Sequence, residues 1–365
     1  MKKIEKFSVL LFCLFISFFM VFLFIKDEKE FSDNENRFLA LKPEFSTEAL
    51  FQGEYTTELD EFITDQFPLR DFWVKLKSTL EYVSFKLENN GVYYGKDNFL
   101  IPQFINFDEN IMKSNIKKMK DLQEFYQDID FSYMIIPTKS EIADDKLKFG
   151  SVGINQSKLI ENLVKDIDGV VNLDDLNRAD YYYKTDHHWN KDGSYIAYSA
   201  LMNKLNEKVV EFNYDLKKDD FKGTSYSSAQ AYWYQSDEIY QILPKNKIDS
   251  LVLYDKEIVK DSIYEDSWLD KKDKYAYYLD GNHAFVEIES ENVINDRGTL
   301  LIIKDSFAHQ LVPYLTSHYS KIIMVDLRYY NQPVSEVISN SEIDRVLYVY
   351  SLDTLNEEKN FVFLK

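Results

Sequence analysis

The chain has 365 residues, 62 acidic against 43 basic, for a formal net charge of -19; 45% of it is hydrophobic and 16% aromatic. That apolar content excludes a mainly disordered chain, and a mean hydropathy of -0.38 with one long apolar run excludes a polytopic membrane protein. The acidic excess excludes non-specific nucleic-acid binding, which needs cationic surface.

Lys2, Lys3 and Lys6 precede an apolar run from Phe7 to Ile25. At about 1.5 Å per residue the run makes about 28 Å of helix, close to a bilayer hydrocarbon core of about 30 Å. It meets Lys26-Asp27-Glu28 with no small-residue cleavage site, so residues 1–25 read as an uncleaved signal anchor rather than a cleaved signal peptide. The basic end stays inside and residues from about 26 onward lie on the extracytoplasmic side. Cys13, the single cysteine, sits inside the run, so the exported part has no disulfide and rests on core burial alone. The anchor carries three lysines and one glutamate, which leaves -21 for the remainder. A domain of that charge is repelled by anionic lipid and is held at the membrane by its anchor.

Residues 26–108 read as a juxtamembrane linker and a helical and hairpin region. Two helices are expected between Thr47 and Glu88, broken at Phe67-Pro68, because Leu59, Phe62, Ile63 and Phe67 recur at helical spacing and proline ends the pattern. Val92 to Ile101 reads as a hairpin turning at Lys96-Asp97-Asn98. From about 109 to 365 short apolar strands alternate with helices. Phe131–Ile136, Val170–Leu173, Leu300–Ile303, Ile322–Val325 and Val346–Tyr350 are the strand candidates, and helices are expected over Asn110–Gln127, Lys158–Asp166 and after Asn190. The pattern predicts an α/β sandwich around a parallel sheet, with a Tyr-rich, β-rich insertion at about 206–295.

Histidine is scarce: five in the chain. Two are adjacent in Thr185-Asp186-His187-His188-Trp189-Asn190, where Asn190 can cap the helix that follows. In an extended loop Asp186 and His188 project to one side, so the carboxylate can hold one imidazole nitrogen and leave the other as a base. The alternative is a structural Asp–His hydrogen bond. For a nucleophile the candidate is Ser306, which follows the strand Leu300–Ile303 and opens a helical segment, with backbone N–H groups nearby for an oxyanion. The alternative is a plain helix cap, since glycines flank it on neither side. Gly281-Asn282 offers an amide and a side-chain donor for an oxyanion hole, or a turn. Asp186, His187 and His188 as a metal site is disfavoured, because adjacent histidines rarely reach one ion. Gly223–Ser227 imitates a nucleophile elbow without the preceding strand. His309 and His318 read as surface helix residues.

These residues carry a resemblance. Thr185–Asn190 resembles the signature of the DHHW family of exported bacterial proteins, which are similar to the SGNH-hydrolase-like acetyltransferases of the alginate O-acetylation machinery. Phe31–Arg37, Asp65–Asp71, Leu279–His283, Lys304–Ala308 and Val325–Tyr330 fit the family's other blocks in order. The resemblance implies an SGNH-hydrolase-like α/β/α sandwich with a triad of Ser306, His188 and Asp186, reordered because the D-x-H element precedes the serine. It implies oxyanion or substrate contacts at Asn282, Gly281 and Arg328, and no cofactor or metal. It further implies a membrane-anchored O-acetyltransferase acting on a cell-surface or secreted polysaccharide through an acyl-serine, with acyl groups supplied by a multi-pass membrane O-acyltransferase partner. A carbohydrate acetylesterase with the same triad, and a non-catalytic glycan-binding or scaffold component, remain alternatives. The acidity favours a neutral polymer over a polyanion, and no nucleic-acid partner is expected.

Overall fold

The computed structural model describes residues 3–148, 153–244, 250–291, 293–294 and 296–365. Lys2 of the basic N-terminus and residues 245–249, 292 and 295 of the expected insertion lie outside the described residues. The chain divides into two compact units, residues 1–89 with 230–232, and residues 90–229 with 233–365. The boundary therefore falls before the hairpin, not at 108/109 as the sequence suggests.

In the smaller unit a helix spans Lys3–Ile25, and its stretch Ile4–Leu23 is long and apolar enough to cross a membrane. Three helices follow where two were expected: Thr47–Gln52, Glu54–Gln66 and Arg70–Val83. The extra break is Gly53, whose φ of 83° ends the first helix in a left-handed cap that a side chain would strain. The break at Phe67–Leu69 is where proline placed it. Buried Asp65 takes Arg37 bidentately at 2.8 and 2.5 Å, and Arg70 reaches Glu35 at 2.8 and 3.0 Å. Phe31–Arg37 and Asp65–Asp71 are thus two halves of one charge cluster.

In the larger unit the expected hairpin forms between Val92–Tyr94 and Leu100–Pro102, with Asp97 and Asn98 at φ 55° and 63° in its turn. The centre is a seven-stranded sheet. Its strands are β1 (Asp130–Ile136), β2 (Ser250–Tyr254), β3 (Ile258–Lys260), β4 (Phe285–Ser290), β5 (Thr299–Lys304), β6 (Lys321–Val325) and β7 (Arg345–Ser351). They lie in the order β3-β2-β4-β6-β5-β7-β1. β6, β5, β7 and β1 run parallel, with Leu300 opposite both Ile322 and Arg345.

Two expectations need correction here. The sheet is mixed, because β4 pairs antiparallel with both β6 and β2, and β2 antiparallel with β3. Those three strands come from within 206–295, so that segment is not an insertion throughout; Phe212–Phe221 paired with Asp237–Pro244 forms a separate hairpin. Val170–Leu173 adds no strand beyond a bridge from Val170 to Tyr133.

The parallel strands read as unbroken apolar runs because both faces are covered. Met134, Ile136, Ile302, Met324 and Val349 enter one core, while Tyr133, Ile135, Ile303, Val325 and Tyr350 enter the other. Helices α1 (Glu109–Phe125), α2 (Gln156–Val164) and α5 (Val334–Asn340) cover the second face; α3 (Lys191–Lys204) and α4 (Ala308–Leu315) cover the first. The α/β/α layering puts Ser306 at the C-terminal edge of β5, where ligands of such sheets bind.

Candidate functional site

Ser306 sits in the turn between β5 and α4. Asp305 fixes that turn: its Oδ1 accepts from the Phe307 amide at 3.0 Å and its Oδ2 from the Ser351 amide at 2.7 Å, across to β7. Among the described residues no hydrogen bond occupies the Ser306 amide, so it is available to an oxyanion.

Ser306 Oγ lies 2.7 Å from His188 Nε2, and His188 Nδ1 lies 2.6 Å from Asp186 Oδ1. A carboxylate only accepts, so it selects the Nδ1–H tautomer and leaves Nε2 to accept the serine proton. Asp186 Oδ1 also receives the His188 amide at 3.0 Å. Burial alone would raise the Asp186 carboxyl, but His187, His188 and these hydrogen bonds hold it well below the usual carboxylate range. The imidazole stacks on Tyr275 at 3.9 Å and 7°, and the Tyr275 hydroxyl donates to the Ser306 carbonyl at 3.1 Å.

The sequence missed several supports of this chain. Gly223 and Thr224, set aside as a false elbow, cradle Asp186: Thr224 donates to Oδ2 from its amide at 2.8 Å and from its hydroxyl at 3.1 Å. Lys139, fully buried, donates to the carbonyls of Lys184 and Asp186 at 2.8 and 2.9 Å, and burial pushes its ammonium down to about 7. Asp237 takes the Lys184 and Thr185 amides and the Thr185 hydroxyl at 2.8, 2.7 and 2.6 Å. The loop is a series of bends rather than an extended segment, so His187 stays beside His188, ring centroids 3.8 Å apart, and bonds Thr224 Oγ1 at 2.7 Å.

The serine, histidine and aspartate line a cleft of about 540 Å³ together with Gly281, Asn282 and Arg328. Arg328 grips buried Asp326 through Nε at 2.9 Å and Nη2 at 2.7 Å, and Nη2 reaches Asn282 Oδ1 at 3.3 Å. Behind it Lys304 Nζ lies 2.8 Å from both Asp326 Oδ2 and His309 Nε2. His309 and His318 are buried, 2% and 3% exposed, contrary to the surface expectation: every residue of α4, His309 included, is buried, and His318 in the turn beyond it bonds the Tyr198 hydroxyl at 2.7 Å. Burial and the neighbouring Lys304 hold His309 well below the usual imidazole value, so it accepts from Lys304 as a neutral ring. Asp186, His187 and His188 have donor atoms within 4.8 Å of one another. Those of Asp186 and His188 are already committed, to Thr224, to each other and to Ser306, so the set does not suit a metal.

The fold is mixed α/β, with a serine, a histidine and a buried aspartate hydrogen-bonded in series at the sheet's C-terminal edge. The DHHW protein family model matches residues 103–325, and the chain belongs to that family. The matched span holds every candidate site residue except Arg328, three residues beyond it. The fold is similar to that of the DHHW family protein of Eubacterium siraeum DSM 15702, 19% identical over 75% of this chain and 94% of that one, TM-score 0.61. It is also similar to Bacillus cereus PatB1 solved with a sulfonyl adduct, 22% identical over 75% and 100%, TM-score 0.62. The O-acetyltransferase domain of Pseudomonas putida AlgJ matches at 12% identity over 75% and 95%, TM-score 0.49. No curated protein matches the chain.

Proposed function

We propose that this protein is a single-pass, membrane-anchored O-acetyltransferase that modifies a polysaccharide on the extracytoplasmic side through an acyl-serine. The observation that carries the reading is the pair of short hydrogen bonds from Ser306 through His188 to Asp186 at the wall of an open cleft. His188 Nε2 takes the Ser306 proton as Oγ attacks the donor's carbonyl carbon. The Ser306 amide receives the oxyanion, and Gly281 and Asn282 line the same cleft. The intermediate collapses, His188 returns the proton to the leaving oxygen, and the acetyl group stays on Ser306. A sugar hydroxyl then loses its proton to His188, attacks the acyl-serine and leaves acetylated, restoring Ser306. Asp186 remains ionised throughout and stabilises the imidazolium. No step calls for a cofactor. Acetyl donors are made inside the cell, so a multi-pass O-acyltransferase is the proposed supplier.

The test gives the purified full-length chain an activated acetyl ester, with and without neutral oligosaccharide, and follows the acetyl group by mass spectrometry. The reading expects sugar acetylation that disappears in Ser306→Ala. Acetyl released only to water would make the protein an esterase. Turnover untouched by Ser306→Ala would exclude catalysis by this serine and leave a glycan-binding or scaffold role.

A further inference from the structure

Helix Arg70–Val83 of the smaller unit is built inside out for water. Leu69, Phe72, Trp73, Leu76, Leu80 and Val83 are 62, 54, 36, 38, 57 and 67% exposed. At about 100° per residue the five inside the helix fall within one arc of about 100°, an apolar face, with Leu69 at its N-cap. On the opposite side Ser78 is 1% exposed, and Lys75 stands 5.6 Å over the Tyr232 ring. The helix is therefore buried only at Ser78, facing away from the apolar front, which is left bare.

Two further observations name what covers that front. Phe19 of the apolar N-terminal helix stacks on Phe67 at 5.2 Å and 6° and meets Trp73 edge-on at 6.3 Å, and it is buried where most of that helix is exposed. Phe19 lies six residues before the helix end at Ile25, or about 9 Å along its axis. An interfacial helix seats its apolar face about 5–10 Å into the headgroup–acyl boundary. The bare face thus starts at the depth where the membrane-crossing segment leaves lipid. Residues 69–87 also carry Arg70, Lys75, Lys77 and Lys86 against Asp71 and Glu81, a cationic segment in a chain of net charge -19. Tryptophan, phenylalanine and leucine on one face with lysine on its flanks is interfacial chemistry.

We propose that the helix Arg70–Val83 lies in the membrane interface with its Leu69–Val83 face in lipid, a second attachment that sets the protein's height above the bilayer. The proposal rests on the N-terminal helix crossing the membrane. It amends the sequence expectation that the anchor alone holds an acidic protein there: the net charge is repelled while this local segment is not.

The test uses the full chain in vesicles of phosphatidylethanolamine and phosphatidylglycerol, with nitroxide labels read for collision with oxygen and with a water-soluble nickel chelate. Native Cys13 reports the anchor. In a Cys13→Ser background, Leu76→Cys and Leu80→Cys report the face and Asp71→Cys the opposite side. The expected result is a lipid signature at Cys13 and an oxygen-to-nickel ratio several-fold higher at 76 and 80 than at 71. Lipid at Cys13 with water at 76 and 80 overturns the proposal alone. Water at Cys13 overturns the anchor with it. Labels at 76 and 80 shielded from both reagents mean a protein, such as a second copy, covers the face, and overturn the proposal as well.

Discussion

The support beneath Asp186 yields a prediction that can be worked from distances. A Cβ at Gly223 would lie 2.2 Å from Asp186 Oδ2 and 2.3 Å from Asp186 Cβ, where ordinary contact starts at 3.4 Å. Gly223→Ala must therefore displace the carboxylate or the backbone beneath it by roughly 1 Å, a misplacement that costs on the order of 100-fold in rate. At 1.36 kcal/mol per decade this is about 2.7 kcal/mol of transition-state stabilisation. The assay is kcat/KM on an activated acetyl ester, with thermal unfolding in parallel to show that the variant is folded. Thr224→Val serves as the gentler companion. It removes the 3.1 Å hydroxyl bond and keeps the 2.8 Å amide bond, so a several-fold loss is expected. A folded Gly223→Ala variant with wild-type kcat/KM would refute the reasoning, because the aspartate's position would then be immaterial.

Other expectations follow from the buried charges. Lys139 is held at about 7 by burial, against 10.5 when exposed. Between those values the unfolded chain binds a proton that the folded chain does not, so stability from this site rises with pH. The stability advantage of wild type over Lys139→Met, read by chemical unfolding, should widen from pH 7 to pH 10; a constant gap would contradict the assignment. Asp326→Ala leaves Lys304 and Arg328 without their shared buried counter-ion. It should cost about 3–5 kcal/mol in urea unfolding, and a loss below 1 kcal/mol would show the cluster to be solvated.

The site was legible where chemistry and local pattern coincide. Ser306 could be found because an apolar strand runs straight into it, and Asp186–His188 because histidine is scarce and Asn190 marks a helix start. Their partners could not, since Thr224, Tyr275 and Lys139 come from distant segments and carry no local motif. Tyr275 in particular lies among many tyrosines, and only its stacking on His188 separates it. His309 was misread because a polar residue in a proline-containing helix looks exposed, whereas α4 is enclosed on all sides; His318, in the turn beyond it, is buried against Tyr198 from a distant segment. The parallel half of the sheet announces itself in runs such as Leu300–Ile303. β4 reads Phe-Val-Glu-Ile-Glu-Ser, and its glutamates hid a strand that pairs on both sides. In the smaller unit the helical spacing was visible, but spacing alone cannot tell which face of Arg70–Val83 turns away from the protein.

The central claim is that Ser306 is an activated nucleophile, and a serine-directed sulfonyl fluoride probe tests it most directly. Peptide mass spectrometry of the treated full chain should find one adduct, on Ser306, absent from Ser306→Ala and strongly reduced in His188→Ala. No adduct on Ser306, or labelling at an unchanged rate in His188→Ala, would contradict the account.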